Sequence, residues 1–510
     1  MQKRSATSVS LLLILVGASF MVASPAGAHS SEAVFVTSFD GTQIDINVCK
    51  PDGASAADPV PLIFWGPGWA GTKAGCDSLA GWNDDGYGVI SITPRGFGSS
   101  GGQANVHDPD LEGKDYRAVI DYAASLDWIQ KETGPDACGP DDVVLGAIGG
   151  SYGGAYQLIT ALDETASWGC TRFDAIAPEI AWFSLPQSLA PYGVVRSVWV
   201  DALYAVGAPS LPDYIHQSYA HVQATGRVPT GPEPFIPDLV AEFEQHGPSG
   251  FVAGGVQLGI PALIRQGVSD NLFNLNEGIH NFQRTLTDDA RAESLFVGFN
   301  GGHALPTVLP LGTAGGNTCE ADLMGGTGGW SELQRAWYDH HLKGEAKAYD
   351  DSFAYNIMDE GSTCVRTNSV DTTATFPVDG LAGAIATTTM IGAPQHHKIA
   401  DGPLTVSGIP TLSATLTTAG IDARAFLAVS IGSTPLDAQV IGHNVMPINK
   451  ELPVVLESLE MELQGMAATV EEGQSLFLTV SPASDMFVTH GSRTPGAIVL
   501  TDVTVDLPVV

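Results

Sequence analysis

Short apolar runs alternate with longer stretches of helical pattern between Val34 and Phe299, which predicts a sheet sandwiched between helices. The region opens with a hairpin that turns at Asp40-Gly41. The runs that follow are almost continuously apolar, as is typical of parallel strands buried on both faces. They are VPLIFW (60–65), YGVISIT (87–93), DVVLGAI (142–148), FDAIAP (173–178), PALIRQGV (261–268) and SLFVGF (294–299). We therefore expect an α/β core.

The alternation is lost in two places, and each predicts a further structural unit. Residues 183–258 are rich in Pro, Tyr, Trp and Ala and contain helical fragments such as IPDLVAEFEQH, which predicts an inserted helical cap. After about Tyr349, strand-like runs such as QSLFLTVS recur, which predicts an all-β sandwich or jelly roll. The predicted division is 29–182 and 259–348 for the two parts of the core, 183–258 for the cap and 349–510 for the β module.

Residues 1–28 have the pattern of a secretory signal peptide. Lys3 and Arg4 precede the apolar run VSLLLILVGASFMVA, and small residues ending at Ala28 form a cleavage-site pattern. The apolar run is short for a membrane-spanning helix, and no cysteine follows the cleavage site to carry a lipid. We expect a secreted protein, extracellular or periplasmic, without a membrane span once the signal is removed.

The overall charge restricts the partners of the chain. Its formal net charge is -34 at pH 7 with only 22 Lys and Arg residues. Nucleic acids and anionic membranes bind to basic surfaces, so neither is expected as a partner. The composition is that of an ordinary globular, exported protein, and it leaves the oligomeric state open.

The six cysteines predict three disulfides, because cysteines of exported proteins are generally oxidised and none of these forms a C-x-x-C pair. Many connectivities are open to six cysteines. Pairing of sequence neighbours joins cysteines that flank compact pieces of chain. On that ground we expect Cys49 with Cys76, Cys138 with Cys170 and Cys319 with Cys364.

The pattern G-x-S-x-G, which holds a nucleophilic serine on a strand-to-helix turn in many enzymes, occurs twice. Ser151, in GGSYG, follows a predicted strand and precedes a helical pattern. Ser100, in GSSGG, is followed by QANVHDPDLEG, where no helix is predicted, so only Ser151 has the required context. The loop before Ser100 also matches G-x-G-x-x-G. No helix begins there to hold a pyrophosphate, and we expect no nucleotide cofactor.

A serine becomes a strong nucleophile when a base takes its proton and a carboxylate orients the base. Asp270 follows the predicted strand 261–268, and His303 follows the predicted strand 294–299. The order Ser, acid, His and the position at the carboxyl ends of strands both match catalytic residues of open α/β sheets. Taken singly, Asp270 also fits a helix cap and His303 a glycine-rich loop. Together with Ser151 they predict a catalytic triad.

An oxyanion formed by attack of Ser151 requires at least two positioned hydrogen-bond donors. The backbone N–H of Tyr152 is one candidate. The loop WGPGWAG after the strand 60–65 offers a second, from the backbone of either Gly68 or Trp69.

The histidines outside the triad do not predict a metal site. His340 and His341 lie in a helical pattern, and His396 and His397 lie at the entry to the β module. None of them has H-E-x-x-H or similar spacing. We expect neither a metal nor a cofactor.

Four stretches carry recognisable motifs: GGSYGG, DDGYGVISITPRGFGSSGG, AIAPEIAWFSL and AWYDHHLKG. They resemble, in this order, the G-x-S-Y-x-G elbow, the D-G-Y strand with its R-G-x-G-x-S-x-G loop, the entry to the cap and the W-x-D-x-x-L-K-G helix of the X-Pro dipeptidyl-peptidase family. This family also contains cocaine esterase and the α-amino-acid ester hydrolases. The resemblance implies an α/β-hydrolase core with an inserted helical cap and a C-terminal jelly roll. It places Ser151, Asp270 and His303 at the nucleophile, acid and base positions.

Two residues depart from the pattern of the family. Thr93 stands where the family loop usually has an aspartate, two residues before the arginine. Gly68 stands where cocaine esterase has a tyrosine that offers its phenol to the oxyanion. Both departures lie in loops near the predicted site, so the resemblance implies the triad chemistry and not a particular substrate.

The sequence as a whole predicts a secreted serine hydrolase that cleaves an ester or amide bond of a small acyl substrate through an acyl-enzyme. The resemblance implies an alternative, an X-Pro dipeptidyl aminopeptidase, which must match a free ammonium group with a carboxylate. Glu179 is the best-placed carboxylate, and Asp201 and Asp213 in the cap are others. A non-catalytic binding protein on a hydrolase fold is an alternative of another class, because a fold does not determine a function.

Overall fold

The computed structural model describes residues 29–134, 137–231, 236–307, 309–313, 316–378, 384–387 and 393–510. The predicted signal peptide, residues 1–28, lies outside the described residues. Within the described ranges, no helix is both long enough and apolar enough to cross a membrane.

A ten-stranded mixed sheet forms the centre of the core, in the order β1-β2-β4-β3-β5-β6-β7-β8-β9-β10. The strands from β4 to β9 along this order run parallel, and the pairs at the two edges are antiparallel. The strands are β1 (His29–Thr37), β2 (Gln43–Pro51), β3 (Leu62–Trp65), β4 (Gly88–Ile92), β5 (Leu145–Gly150), β6 (Ala175–Glu179), β7 (Leu263–Gly267), β8 (Leu295–Phe299), β9 (Tyr355–Met358) and β10 (Cys364–Thr367).

Helices cover both faces of this sheet. Phe64 of β3 belongs to one large apolar cluster with Tyr156, which lies on the helix after β5. Ile63 of β3 packs with Trp337 on the opposite face of the sheet. The helices are α1 (Cys76–Asp84), α2 (Lys114–Ala124), α3 (Tyr152–Trp168), α4 (Leu185–Leu189), α5 (Ser197–Gly207), α6 (Asp213–Thr225), α7 (Leu239–Glu244), α8 (Pro248–Ala253), α9 (Leu275–His280), α10 (Asp288–Ala292), α11 (Glu320–Leu323) and α12 (Trp330–Lys343). Short 3-10 or π turns add Pro109–Gly113, Pro191–Gly193, Ala208–Ser210, Asn281–Thr285, Ile441–His443 and Asp485–Phe487.

The helices α4 to α8 lie between β6 and β7, in the stretch for which an inserted cap is predicted. Buried apolar residues of these helices, such as Leu185, Ile215 and Phe243, belong to the same apolar cluster as the sheet. These helices therefore share the hydrophobic core of the sheet, although in sequence they separate its two parts.

The C-terminal region is all-β, as predicted. One antiparallel sheet has the order β11-β22-β15-β19 with β12 beside β22, another has the order β13-β21-β16-β17 with β18 beside β16, and β14 pairs with β20. Buried leucines such as Leu412, Leu427 and Leu478 form its core. The strands are β11 (Ala374–Pro377), β12 (Ala384–Thr387), β13 (Gln395–Asp401), β14 (Leu404–Gly408), β15 (Thr411–Ala419), β16 (Ala423–Gly432), β17 (Gln439–Val440), β18 (Met446–Lys450), β19 (Glu457–Glu462), β20 (Met466–Val470), β21 (Ser475–Ser481) and β22 (Gly496–Leu507).

The predicted start of the β module at residue 349 is too early. Strand β9 pairs in parallel with β8, and β10 pairs with β9, so both extend the central sheet. Each of these strands has four residues, and a short turn joins them, as in a hairpin of an all-β domain. The sequence pattern of a short strand does not show that it pairs in parallel with a distant strand. The antiparallel sandwich begins with β11.

All six cysteines are paired, each with its neighbour in sequence: Cys49 with Cys76, Cys138 with Cys170, and Cys319 with Cys364. The first bond ties β2 to the start of α1, and the third ties β10 to the residue before α11. Disulfides persist in oxidising compartments, so this arrangement is compatible with an extracellular or periplasmic protein.

We expect the native protein to contain three disulfides and no free thiol, because every cysteine has a bonded partner. The measurement is alkylation of the native, non-reduced protein followed by peptide mass spectrometry. No residue should be alkylated before reduction, and cross-linked peptides should contain the three neighbour pairs. Three or more alkylated thiols, or a different set of cross-links, would contradict the pairing.

Candidate active site

Ser151 lies at the turn between β5 and α3. Its backbone has φ 61° and ψ -122°, a combination that side-chain-bearing residues rarely adopt. The backbone N–H of Ser151 donates to the carbonyl oxygen of Glu179 over 2.9 Å, which fastens the turn to the end of β6. This strained turn holds the hydroxyl above the carboxyl end of the sheet.

The glycines beside Ser151 allow close approach of neighbouring backbone. A Cβ atom on Gly149 or Gly153 would lie 2.5 or 2.1 Å from the carbonyl oxygen of Gly66. A Cβ atom on Gly154 would lie 2.3 Å from the carbonyl oxygen of Glu179. The loop after β3 and the end of β6 therefore pack directly against the backbone of the turn.

The structure brings Ser151, His303 and Asp270 together. The Nε2 atom of His303 lies 2.8 Å from Oγ of Ser151, and its Nδ1 atom lies 2.7 Å from Oδ2 of Asp270. Because an ionised carboxylate only accepts, Nδ1 carries the proton and Nε2 is the acceptor that faces the hydroxyl. The acid follows β7 and the histidine follows β8, as predicted from the strand ends.

The carboxylate of Asp270 is completely buried and accepts further hydrogen bonds. Its Oδ2 atom also accepts from the backbone N–H of His303, over 2.9 Å. Its Oδ1 atom accepts from the backbone N–H groups of Leu272 and Phe273, over 3.0 and 2.7 Å. These donors stabilise a buried negative charge and fix its orientation toward the imidazole.

Residues from the cap and from the β sandwich support the loop that contains Asp270. The side-chain amide of Asn444 donates to the backbone carbonyl of Asp270 over 2.9 Å. The Nη1 atom of the buried Arg196 donates to the carbonyl of Asn271 and to Oδ1 of Asn444, over 2.9 and 3.0 Å. Trp199 donates to the side chain of Asn271 over 2.9 Å. The acid loop is thus one place where core, cap and sandwich meet.

The loop after β3 lies beside the turn, where an oxyanion donor is expected. Trp69 packs edge-on against Tyr152 with ring centroids 5.1 Å apart, and its indole N–H donates to the carbonyl of Leu203 over 3.0 Å. Gly68 is exposed, and its carbonyl accepts from the N–H of Gly71. Both candidate donors of this loop lie next to the turn, and the contacts do not distinguish between them.

A model of the X-Pro dipeptidyl-peptidase (S15) family matches residues 40–304, just over half of the chain. The chain belongs to this family. The matched segment extends from the turn of the first hairpin through Ser151 and Asp270 to the residue after His303. The protein is therefore a serine hydrolase, of either the esterase or the X-Pro peptidase kind.

Solved structures share the fold of this family member over almost their whole length. A CocE/NonD family hydrolase from Staphylococcus aureus has a TM-score of 0.65 at 13% identity, with 94% of each chain covered. An α-amino acid ester hydrolase has a TM-score of 0.67 at 13% identity, with 98% of this chain and 99% of the other covered. An aminopeptidase from a marine sediment archaeon, Thaumarchaeota archaeon, has a TM-score of 0.58 at 13% identity, with 97% and 98% covered. No curated protein matches the chain.

A cavity of about 640 Å³ adjoins Ser151 in this S15-family chain. Trp69, Tyr152, Trp182 and Phe273 line it on the core side, and apolar residues of the cap helices line it on the other. Its carboxylates are Glu244 and Glu451, of which the first accepts from Ser184 and the second pairs with Arg227. The space next to the nucleophile is therefore mainly apolar.

Glu179, predicted as a substrate-binding carboxylate, is not among the residues that line the cavity. Its Oε2 atom lies 3.0 Å from Nη1 of Arg265, and Arg265 also binds the buried Glu320 over 2.6 Å. Burial raises the pKa of the Glu179 carboxyl, and the Arg265 guanidinium opposes that rise. Strand β6 places Glu179 near the turn, but its side chain pairs with Arg265 of β7 and does not line the cavity.

Ser100, the serine of the other G-x-S-x-G segment, forms hydrogen bonds to the backbone of neighbouring residues. Its hydroxyl donates to the carbonyl of Thr93 over 2.7 Å and accepts from the N–H of Asp45 over 2.9 Å. The neighbouring Arg95 is buried and paired with Asp115 and Asp40 over 2.7 Å each. This loop is held by side-chain bonds to β2 and α2, which the sequence alone did not indicate.

Asp108, Glu242 and His246 form the one group among the described residues whose ligand atoms lie close enough to share a metal ion. Within this group, Nε2 of His246 lies 3.8 Å from Oε1 of Glu242. The group joins the turn before Pro109–Gly113 to helix α7, and the triad chemistry does not involve it.

His107 is a residue of the site that sequence reasoning missed. It is buried, has a left-handed backbone with φ 58°, and stacks on the ring of Tyr152 with centroids 3.6 Å apart and 20° between planes. Burial lowers the pKa of its imidazole to about 3. Histidine in a loop of mixed composition carries no periodic signal, so only the fold reveals this contact.

Proposed function

We propose that the protein is a secreted esterase in which Ser151 is the nucleophile, His303 the general base and Asp270 the residue that orients the base. The observation that carries the proposal is the unbroken chain of contacts from Oγ of Ser151 through the imidazole to the buried carboxylate, with distances of 2.8 and 2.7 Å. The predicted export signal and the three disulfides support secretion.

The chemistry follows from which atoms donate and which accept. Nε2 of His303 accepts the Ser151 hydroxyl proton while Oγ attacks the ester carbonyl, and the same proton is then given to the leaving alkoxide. Water is activated in the same way to release the acid from the acyl-enzyme. Asp270 keeps its hydrogen bond to Nδ1 throughout and stabilises the imidazolium that forms at each transfer.

The oxyanion of each tetrahedral intermediate is assigned to two backbone donors. The N–H of Tyr152 is at the start of α3, where N–H groups are free of helical partners and point outward. The N–H of Gly68 or Trp69 supplies the second bond from the loop after β3. Gly68 stands where cocaine esterase has a tyrosine, so this position offers no phenol to the oxyanion.

Ester hydrolysis is favoured over dipeptidyl peptidase activity by the surroundings of Ser151. A bound peptide N-terminus needs a carboxylate, since an unmatched buried ammonium group is very costly. Glu451 is paired with Arg227 and Glu179 with Arg265. Glu244 accepts from the neutral hydroxyl of Ser184 and is the carboxylate of the cavity that an X-Pro peptidase would use. The X-Pro peptidase remains the second candidate, because the matching family is described by that activity.

Replacing Ser151 with alanine should abolish hydrolysis without unfolding the protein, since the turn depends on its glycines. Loss of a triad member generally costs about 10⁴-fold or more in kcat. The measurement is turnover of p-nitrophenyl esters together with labelling by a fluorophosphonate.

The matched control is Ser100→Ala in the other G-x-S-x-G segment. The Ser100→Ala protein should be labelled and should retain activity, and it should lose about 2 kcal/mol of stability or more, at roughly 1 kcal/mol for each of its two hydrogen bonds. Loss of labelling in Ser100→Ala with retention in Ser151→Ala would reverse the assignment, and an unlabelled wild type would favour a non-catalytic binding protein.

The choice of substrate is tested with p-nitrophenyl esters against Ala-Pro p-nitroanilide. We expect the esters to be cleaved with or without a free amine, and the anilide to be at least about 100-fold poorer in kcat/KM, as the energy of an unmatched charge suggests. Glu179→Gln should change kcat/KM for amino and non-amino esters by similar factors, because the carboxylate acts through Arg265. Efficient anilide cleavage that Glu179→Gln alone removes would establish the peptidase instead.

A further inference from the structure

We infer that His107 is a positioning residue that holds Tyr152 in the orientation in which its backbone N–H donates to the oxyanion. The inference rests on the proposed esterase function and adds a residue to the site that performs it. It depends on three features: the contacts between His107 and Tyr152, the place of Tyr152 directly after the nucleophile, and the anchoring of the loop that contains His107.

His107 contacts Tyr152 at three points. Its Nε2 atom lies 2.7 Å from the carbonyl oxygen of Tyr152, and because a carbonyl oxygen only accepts, Nε2 carries the proton and donates it. The backbone N–H of His107 donates to the phenol oxygen of Tyr152 over 3.3 Å. The two rings stack with their centroids 3.6 Å apart. Tyr152 is therefore held at its carbonyl, its ring and its hydroxyl by one residue.

These contacts fix the direction of the oxyanion donor. The N–H of Tyr152 lies in the peptide plane that joins Ser151 to Tyr152, and a peptide plane is rigid, so its direction is set by the residues at its two ends. Ser151 is held by its own N–H, which donates to the carbonyl oxygen of Glu179 over 2.9 Å. His107 holds the other end. The plane therefore cannot turn without breaking a contact on one side.

The peptide plane has to be held because the nucleophile turn is strained. Ser151 has φ 61° and ψ -122°, and its relaxation toward an ordinary conformation turns the plane that carries the donor. Strained conformations persist only where surrounding contacts impose them. Glu179 supplies such a contact before the strained residue, and His107 supplies others directly after it. The N–H of Tyr152 thus keeps one direction while charge develops on the substrate oxygen.

The loop that contains His107 is itself anchored, so it acts as a support. His107 has a left-handed backbone with φ 58°, which also requires contacts that impose it. The N–H of Asn105 donates to the buried carboxylate of Glu112 over 2.5 Å. The N–H of Ala104 donates to the carbonyl oxygen of Ser210 over 2.8 Å. The loop is therefore fixed both to the core and to the cap just before it reaches His107.

His107 acts on the reaction through Tyr152 and does not touch the substrate itself. Among the described residues that line the cavity beside Ser151, Tyr152 is present and His107 is not. Burial lowers the pKa of the His107 imidazole to about 3, so the ring is neutral at neutral pH and has one N–H. That N–H is donated to the carbonyl oxygen of Tyr152, and no proton is left to give to a substrate.

Three substitutions separate the N–H donor of His107 from its ring and its polarity. His107→Gln places an amide nitrogen as many bonds from the backbone as Nε2, whereas the amide nitrogen of His107→Asn is one bond closer and falls short of the carbonyl. His107→Phe keeps a ring for stacking but has no donor. His107→Asn is the matched control for His107→Gln, because it has the same amide group and asparagine tolerates a left-handed backbone better than most residues.

The measurement is kcat and KM on p-nitrophenyl esters, per active site titrated with a fluorophosphonate. We expect kcat to fall about tenfold or more in His107→Phe and His107→Asn, since loss of a whole oxyanion donor costs about 10²- to 10³-fold and a misdirected donor costs less. KM should stay within about twofold, because the lost interaction matters only in the transition state. His107→Gln should retain at least about a third of the wild-type kcat, since it restores the hydrogen bond.

A second readout follows the oxyanion directly. The carbonyl carbon of trifluoroacetophenone accepts Oγ of Ser151, the serine proton moves to His303, and the carbonyl oxygen becomes an oxyanion. Its inhibition constant should rise in His107→Asn by about the factor by which kcat/KM falls. Acetophenone, which binds without forming this bond, should bind the wild type and the variant equally.

His340→Phe is the control for loss of a histidine bond as such. It removes a similar bond from an imidazole to a backbone carbonyl, that of Glu345, at the end of helix α12. It should leave kcat and both inhibition constants unchanged.

An unchanged kcat in His107→Phe and His107→Asn, or equal losses in His107→Asn and His107→Gln, would overturn the inference. So would a weakening of acetophenone binding in step with that of trifluoroacetophenone, which marks a general loss of structure. Should His107→Phe not fold, the comparison of His107→Gln with His107→Asn decides alone. Failure of the esterase function is a separate result, in which the wild type is neither labelled nor active on any ester.

Discussion

The site is organised around a buried carboxylate that has to be hydrogen-bonded. Asp270 is fully buried, and a charge in that position is stable only if donors surround it. The donors come from its own loop and from the loop after β8, so satisfying the carboxylate also fixes His303 against it. The direction of the imidazole, and with it the contact to Ser151, follows from this requirement.

The same requirement explains why the cap and the sandwich are attached to the core at this point. Arg196, from the segment before α5, is buried, and its guanidinium finds acceptors on Asn271 and on Asn444 of the sandwich. Burial lowers the pKa of Arg196 to about 10, so it is still positively charged at neutral pH. A buried cation without these acceptors is strongly unfavourable. The core, the cap and the sandwich therefore stabilise one another at the acid loop, and these contacts fix the cap helices that line the cavity.

The positions of the catalytic residues can be predicted from local sequence patterns. The side-chain pairings around them depend on contacts between segments that are distant in sequence. The strand ends that carry Ser151, Asp270 and His303 follow from apolar runs and glycines, since parallel strands bring their carboxyl ends to one edge. The partner of Glu179 could not be predicted, because Arg265 lies on another strand and its direction depends on side-chain packing. The parallel pairing of β9 and the cavity under the cap have the same origin: both arise between segments that are distant in sequence, where periodicity gives no signal.

Two regions of the site should tolerate substitutions differently in directed evolution. At the nucleophile turn, glycine backbone lies directly against neighbouring backbone. Gly149, Gly153 and Gly154 touch neighbouring carbonyl oxygens so closely that any larger residue displaces main chain, and random libraries that include them consist mostly of inactive members. The inner surface of the cap consists instead of side chains that line the cavity, where changes of side-chain volume displace no main chain. Selection for new substrates therefore has most freedom in helices α4 to α7, while the nucleophile turn stays constant.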